Sequence, residues 1–214
     1  MARSVILKMD VRLKHPFTCT VAGPTGSGKS QFVFRLIKNA DRLIDPPPEN
    51  ILYCYGEFQP SFAELPDVEF HEGLPNVERF DGRRRFLLII DDLMNEADQN
   101  VCNFFTKLSH HRNVSVVFVS QNLFHRNRHV RTMNLNTHYL VLFKNPRDAN
   151  QVATLARQMY PGKSKFVLEA FEDATKEPYG YLLIDLKPET DERYRIRTNV
   201  FPDDERQYAY VPKV

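Results

Sequence analysis

The chain has 214 residues, a net charge of +2 and an apolar share of 42%. That is the size and composition of one α/β domain whose core needs neither disulfides nor a metal. No run approaches the roughly 18–20 consecutive apolar residues of a membrane helix, and Met1 to Leu13 alternates charged and apolar residues where a secretory leader would carry an apolar block. These features set aside a membrane partner and predict a soluble protein that stays inside a cell or a particle assembled there.

Phe17 to Ala22 reads as a strand running directly into a glycine-rich loop, and Gln31 to Asn39 as a helix with Phe32, Leu36 and Ile37 on one face. Pro46, Pro47 and Pro48 break the chain before a second strand, Ile51 to Tyr55. Phe86 to Ile90 is a third strand ending at Asp91, followed by a helix from Ala97 to Leu108. Val114 to Ser120 and His138 to Phe143 are the fourth and fifth strands. A strong helical pattern covers Arg147 to Met159, and Tyr181 to Leu186 gives one further strand. Strands alternating with helices predict a mostly parallel sheet covered on both faces, a three-layer α/β/α sandwich. Apolar runs that are continuous rather than alternating fit strands buried on both sides. The polar, proline-spaced stretch from Lys187 to Val214 is expected to be peripheral, so residues 1–214 form one domain with a core at about 15–186. Cys19, Cys54 and Cys102 fall in elements without a CxxC pair and read as buried, reduced thiols.

The loop Gly23-Pro24-Thr25-Gly26-Ser27-Gly28-Lys29-Ser30 matches GxxxxGK[ST] in full, between a strand and a helix. Glycines let several backbone N–H groups point at one phosphate, and the helix start adds its positive dipole end. The expected nucleotide-binding stretch is therefore Gly23 to Gln31, with Lys29 reaching the terminal phosphates of ATP and the Ser30 hydroxyl on Mg²⁺. A carboxylate at the end of a buried strand beside such a loop can hold the same metal ion, which assigns Asp91. Its neighbour Asp92 is placed to polarise the attacking water as a general base. The fourth strand ends Ser120-Gln121-Asn122; Gln121 is the expected sensor of the terminal phosphate, with Ser120 and Asn122 as alternatives.

Charge is unevenly spread. The span from Gln99 to Arg147 holds seven of the 29 basic residues and none of the 27 acidic ones. A basic region in an acidic background is the pattern of a patch that meets a polyanion. Arg126, Arg128 and Arg131 are the candidate DNA contacts. These three, with Arg112 and Arg147, are also the arginines from which one could complete a neighbouring subunit's site. His125 and His129 have metal-pair spacing, but the interleaved arginines argue against a cation there. Arg83, Arg84 and Arg85 precede the third strand, at the sheet end away from the glycine loop.

Several classes are set aside. The chain has no DxxG or NKxD element of a GTPase and no LSGGQ-type signature of a transporter ATPase. A nucleotide or nucleoside kinase with an arginine-rich lid, a replication helicase or helicase loader, and a non-catalytic nucleotide-binding scaffold remain as alternatives.

The glycine loop, Leu87-Leu88-Ile89-Ile90-Asp91-Asp92-Leu93-Met94 and Val117-Phe118-Val119-Ser120-Gln121-Asn122-Leu123-Phe124 together resemble the genome-packaging ATPases of the FtsK/HerA superfamily. Tyr53 to Pro60, Ser109 to Asn113 and Leu142 to Asp148 look closest to the versions in virophages and Polinton (Maverick) transposons. The resemblance covers about residues 15–186. It implies a RecA/ASCE-type P-loop ATPase that binds ATP and Mg²⁺ and pumps double-stranded DNA into a preformed capsid. It further implies a homo-oligomeric ring, hexamer or pentamer, acting in a host nucleus, virus factory or virion. Lys29, Ser30, Asp91, Asp92 and Gln121 match the family motifs residue by residue, with Asp92 standing where Glu is commoner.

Overall fold

The computed structural model describes the backbone of residues 2–6 and residues 11–91, 93, 101, 102, 104–108, 112–123, 133 and 135–213, with the side chains of 106 and 107 excepted. Twelve strands are found among them: β1 (Ala2–Ile6), β2 (Leu13–Lys14), β3 (Thr18–Ala22), β4 (Ile44–Asp45), β5 (Asn50–Tyr55), β6 (Glu69–Glu72), β7 (Phe86–Asp91), β8 (Val114–Ser120), β9 (Tyr139–Phe143), β10 (Tyr181–Asp185), β11 (Ile196–Thr198) and β12 (Tyr208–Pro212). The helices are α1 (Lys29–Lys38), α2 (Ala40–Leu43), α3 (Ala149–Met159) and α4 (Ser164–Ala174), and Phe104–Leu108 forms a π-helical segment.

Ten strands make one sheet in the order β1-β12-β11-β10-β9-β3-β8-β7-β5-β6, while β2 and β4 pair separately. From β9 to β6 every pairing is parallel. From β9 outward through β10, β11, β12 and β1 each pairing is antiparallel. The apolar runs explain the parallel part, because alternate residues of one strand enter different cores. Val117 and Val119 of β8 join α1's Phe32, Val33, Leu36 and Ile37 on one face. Val116 and Phe118 face Val101, Phe105 and Leu108 on the other. Beyond β3, Leu140 and Leu142 of β9 pack with Val152 and Leu155 of α3 and Phe166 and Val167 of α4. Helices thus cover both faces, and the strands must be apolar on both sides.

The expected strands are present, with ends shifted by a residue at most. Other elements were not expected: β1, β2, β4 and β6 are further strands, and β1 joins the large sheet from outside the expected core. Ser164–Ala174, which follows Pro161-Gly162, is a second helix after α3. The stretch after Lys187 supplies β11 and β12, and Arg197, Phe201, Ala209 and Tyr210 are buried there. It extends the sheet as well as bordering it. Cys19, Cys54 and Cys102 are buried, and burial pushes the Cys54 thiol up to about 12. No helix among the described residues is long and apolar enough to cross a membrane.

Candidate functional site

All strands from β9 to β6 end on one edge of the sheet, and the glycine loop leaves β3 there. Register fixes what stands beside it. Ala22 pairs with Ser120 on one side and with Leu142 on the other, and Ile90 pairs with Phe118. The end of β3 is therefore flanked by the ends of β8 and β9, and Asp91 lies one strand beyond β8. Strand periodicity turns Asp91 to the same face as Leu87 and Ile89, which is the α1 face.

The loop is held shut by its own chain. Gly23 donates its N–H to the Ser120 carbonyl at 3.1 Å, and Ser27 donates to the Pro24 carbonyl at 3.2 Å. A Cβ on Gly23 would lie 2.6 Å from the Phe143 Cβ and 2.7 Å from the Ser27 Oγ, so no larger residue fits. Gly28 caps α1 at φ 105°, in the left-handed region that side chains rarely adopt. No side chain caps the first turn of α1 and no acidic residue lies in it. No side chain of that turn therefore offsets the positive dipole end of α1. The Ser27 hydroxyl is buried without a hydrogen-bond partner among the described residues, an arrangement that costs stability unless something fills it. Thr25, Gly26, Ser30 and Gln31 form an exposed rim, with Pro24 half-buried.

Lys29 folds back over the loop. Its Nζ donates to the carbonyls of Gly23 at 2.7 Å and Pro24 at 2.9 Å, which puts the ammonium inside the ring of backbone groups. Asp91 is buried and accepts a 2.6 Å hydrogen bond from the Tyr53 hydroxyl. Burial, and next the Asp91 carboxylate, pushes the Tyr53 hydroxyl far above its ordinary range, so it remains a donor. Ser30 and Asp91 supply oxygen only, the donor set that suits a hard dication such as Mg²⁺.

Gln121 is exposed at the tip of β8 and borders a small crevice with Gly23, Asn145 and Gln151. Ser120 is committed elsewhere, since its hydroxyl donates to the Asn122 carbonyl at 2.7 Å. Of the remaining expected residues, Asp92, Arg126, Arg128, Arg131, His125 and His129 lie outside the described residues. Arg112 stands at the start of β8, on the opposite edge, and donates to the Phe80 carbonyl at 2.6 Å. Lys144 and Arg147 are exposed just after β9, on the loop edge.

Three supports escape a reading of the sequence. Tyr53 orients Asp91 across 38 positions of sequence. Gln151 accepts from the Leu123 N–H at 2.8 Å and donates to Asp148 at 2.6 Å, which ties the segment after β8 to the start of α3. Tyr179 packs on Gly28, where an added Cβ would come within 3.1 Å of its ring and Cβ. Tyr53 and Asp148 lie in stretches that the family resemblance singles out, but neither had been given a role.

A large, mostly parallel sheet with a glycine loop at its carboxyl edge defines a mixed α/β protein, and its fold is similar to that of solved viral packaging NTPases. The genome packaging NTPase B204 from Sulfolobus turreted icosahedral virus 2, in complex with ATP-gammaS, shares 12% identity at a TM-score of 0.53, over 86% of this chain and 96% of that one. B204, the DNA-packaging ATPase from Sulfolobus turreted icosahedral virus, gives a TM-score of 0.55 at 12% identity, over 86% and 97%. At such identity the likeness is one of fold. A stretch of 58 residues is 55% identical to Packaging protein 1 of Snake adenovirus serotype 1, taking in 24% of this chain and 13% of that protein. The match thus spans a small part of that relative's length. No model of a known protein family matches the chain.

Proposed function

We propose that the chain is a Mg²⁺-dependent ATPase, a single P-loop domain of the FtsK/HerA type, that drives double-stranded DNA into the capsid of a virus or virus-like transposon. The observation that carries this reading is the closed glycine loop, with Lys29 inside it and Asp91 facing α1 from the strand beyond β8. The fold likeness to B204 and the short stretch shared with Packaging protein 1 point the same way.

On this reading the loop N–H groups and the start of α1 hold the phosphates. Lys29 exchanges the carbonyls of Gly23 and Pro24 for phosphate oxygens. Ser30 and Asp91 hold Mg²⁺, which when bound neutralises charge on the phosphates. Tyr53 keeps Asp91 aimed at the α1 face. Asp92 draws a proton from the attacking water, and Gln121 reports whether the terminal phosphate is present. Because Arg126, Arg128 and Arg131 follow Gln121 within ten positions of sequence, a change at the β8 tip would move the basic segment that carries them. Those arginines grip the DNA backbone, which suits a motor that must hold any sequence. A ring of five or six subunits would surround the duplex.

Steady-state ATP hydrolysis, measured alone and with double- or single-stranded DNA, tests the proposal. Stimulation mainly by duplex, lost in Lys29→Ala and Asp92→Asn, is the expected result. Stimulation by single strands alone would replace packaging with a helicase role. Tight ATP binding without turnover under any condition would leave a scaffold.

A further inference from the structure

Tyr179 stands out among the side chains near the loop. The residue is 60% exposed, while its backbone has φ 63°, a region that bulky residues rarely occupy. The turn around it is tightly made: Gly180 donates to the Glu177 carbonyl at 3.1 Å, and a Cβ at Gly180 would lie 2.4 Å from the Ala174 carbonyl oxygen. A strained turn that displays an aromatic ring calls for a use of the ring.

Sheet order supplies the use. Asp91 ends β7 and Gln121 follows β8, on one side of β3, whereas β9 and β10 lie on the other. A nucleotide whose terminal phosphate faces Asp91 must run its nucleoside toward β9 and β10. Because β10 is antiparallel to β9, Tyr181 pairs with Phe143, so β10 begins on the loop edge. Tyr179, two residues earlier, is delivered to the side of Gly28 that faces away from Asp91.

Beside Tyr179 opens a recess of about 670 Å³, bounded among others by Arg35, Glu177, Thr198, Asn199 and Tyr208. That volume is within the range of nucleotide-sized pockets. Its walls are preset. Arg35 is held by Asp203 at 2.9 Å and Asp204 at 2.8 Å, and Thr198 donates to the Tyr181 carbonyl at 2.7 Å. The wall mixes polar groups with aromatic carbon, as a sugar and a base require.

We propose that Tyr179 stacks on the base of the bound nucleotide and that this recess receives the nucleoside. The inference rests on the nucleotide reading above. A stacked base adds affinity that the phosphates do not share, and it is tolerant of base identity.

The test is equilibrium binding of ATP and of inorganic tripolyphosphate, each with Mg²⁺, to the full chain and to Tyr179→Ala, Tyr179→Phe and Lys29→Ala. Tyr179→Ala is expected to weaken ATP binding about 10- to 100-fold and to leave tripolyphosphate unchanged, while Tyr179→Phe stays within about threefold of the parent. Tyr179→Gly adopts the positive φ without strain and also lacks the ring, so it should repeat the alanine pattern if Tyr179→Ala folds poorly. Unchanged ATP affinity in Tyr179→Ala and Tyr179→Gly, with Lys29→Ala still impaired, would overturn the stacking role alone. Equal weakening of both ligands would overturn it too, because the loop itself would then be damaged. ATP binding that ignores Lys29→Ala would remove the nucleotide reading and this proposal with it.

Discussion

The two edges of the parallel sheet differ in how many of their polar groups are matched within the chain. Where the strands begin, polar side chains find each other. The His15 ring lies 2.6 Å from the Ser115 hydroxyl and 3.0 Å from the Asn113 side-chain oxygen. Glu49 accepts from the Arg85 N–H at 2.8 Å, and Arg112 is spent on a carbonyl. Arg197 meets Asp185 at 3.3 Å in the interior and donates to the Val11 carbonyl, leaving its Nε as the exception without a partner among the described residues. Where the strands end, the Ser27 hydroxyl has no partner among the described residues, no side chain caps the start of α1, and Ser30, Gln31 and Gln121 are exposed. Polar groups that satisfy one another serve stability, whereas a buried group left without a partner needs an explanation, which the proposed nucleotide would supply.

That contrast can be broken by exchanging the two kinds of damage. Lys29→Ala, on the loop edge, is expected to lower ATP turnover by about 10²- to 10³-fold, the scale of losing one charged group that contacts the reacting phosphates. Its urea midpoint should stay close to that of the parent, and a large drop in stability would erase the distinction. Asp185→Ala, at the opposite edge, leaves the Arg197 charge buried and uncompensated. It is expected to cost about 3–5 kcal/mol in urea unfolding while the folded fraction keeps its ATP affinity.

Smaller changes sharpen the comparison. Tyr53→Phe removes the hydrogen bond to buried Asp91, which is expected to cost about 1 kcal/mol of stability and to lower turnover more than ATP affinity. Equal kinetics in the variant would deny Tyr53 its orienting role. The smallest effect concerns pH. Burial, opposed by the hydrogen bond to Asn113, lowers the His15 pKa from its ordinary 6.5. Between the lowered folded value and 6.5 the unfolded chain binds the proton and the folded chain does not, so stability falls as pH drops below 6.5. Urea midpoints on either side of that pH should show the loss, and His15→Gln should show less of it.

Much of this was legible in the residues. Continuous apolar runs such as Phe86 to Ile90 announced strands buried on both faces, and the glycine pattern placed a loop between strand and helix. What escaped notice depends on distant partners. Tyr53 reads as a strand aromatic until β5 and β7 align and bring it to Asp91. Tyr179 reads as a loop residue after Pro178 until β10 is found antiparallel. Arg197 looks like a surface charge because its burial depends on Asp185, twelve positions away. β6 has a polar edge pattern, and β11 is three residues long, too short for periodicity to reveal.

The most direct test of the loop edge is unfolding by urea with and without saturating Mg²⁺ and ATP, in the parent chain, Lys29→Ala and Asp185→Ala. A ligand held at about 100 times its Kd stabilises the folded state by about 2.7 kcal/mol. The account predicts that gain in the parent and in Asp185→Ala, and its loss in Lys29→Ala. The same gain in all three, or in none, would contradict it.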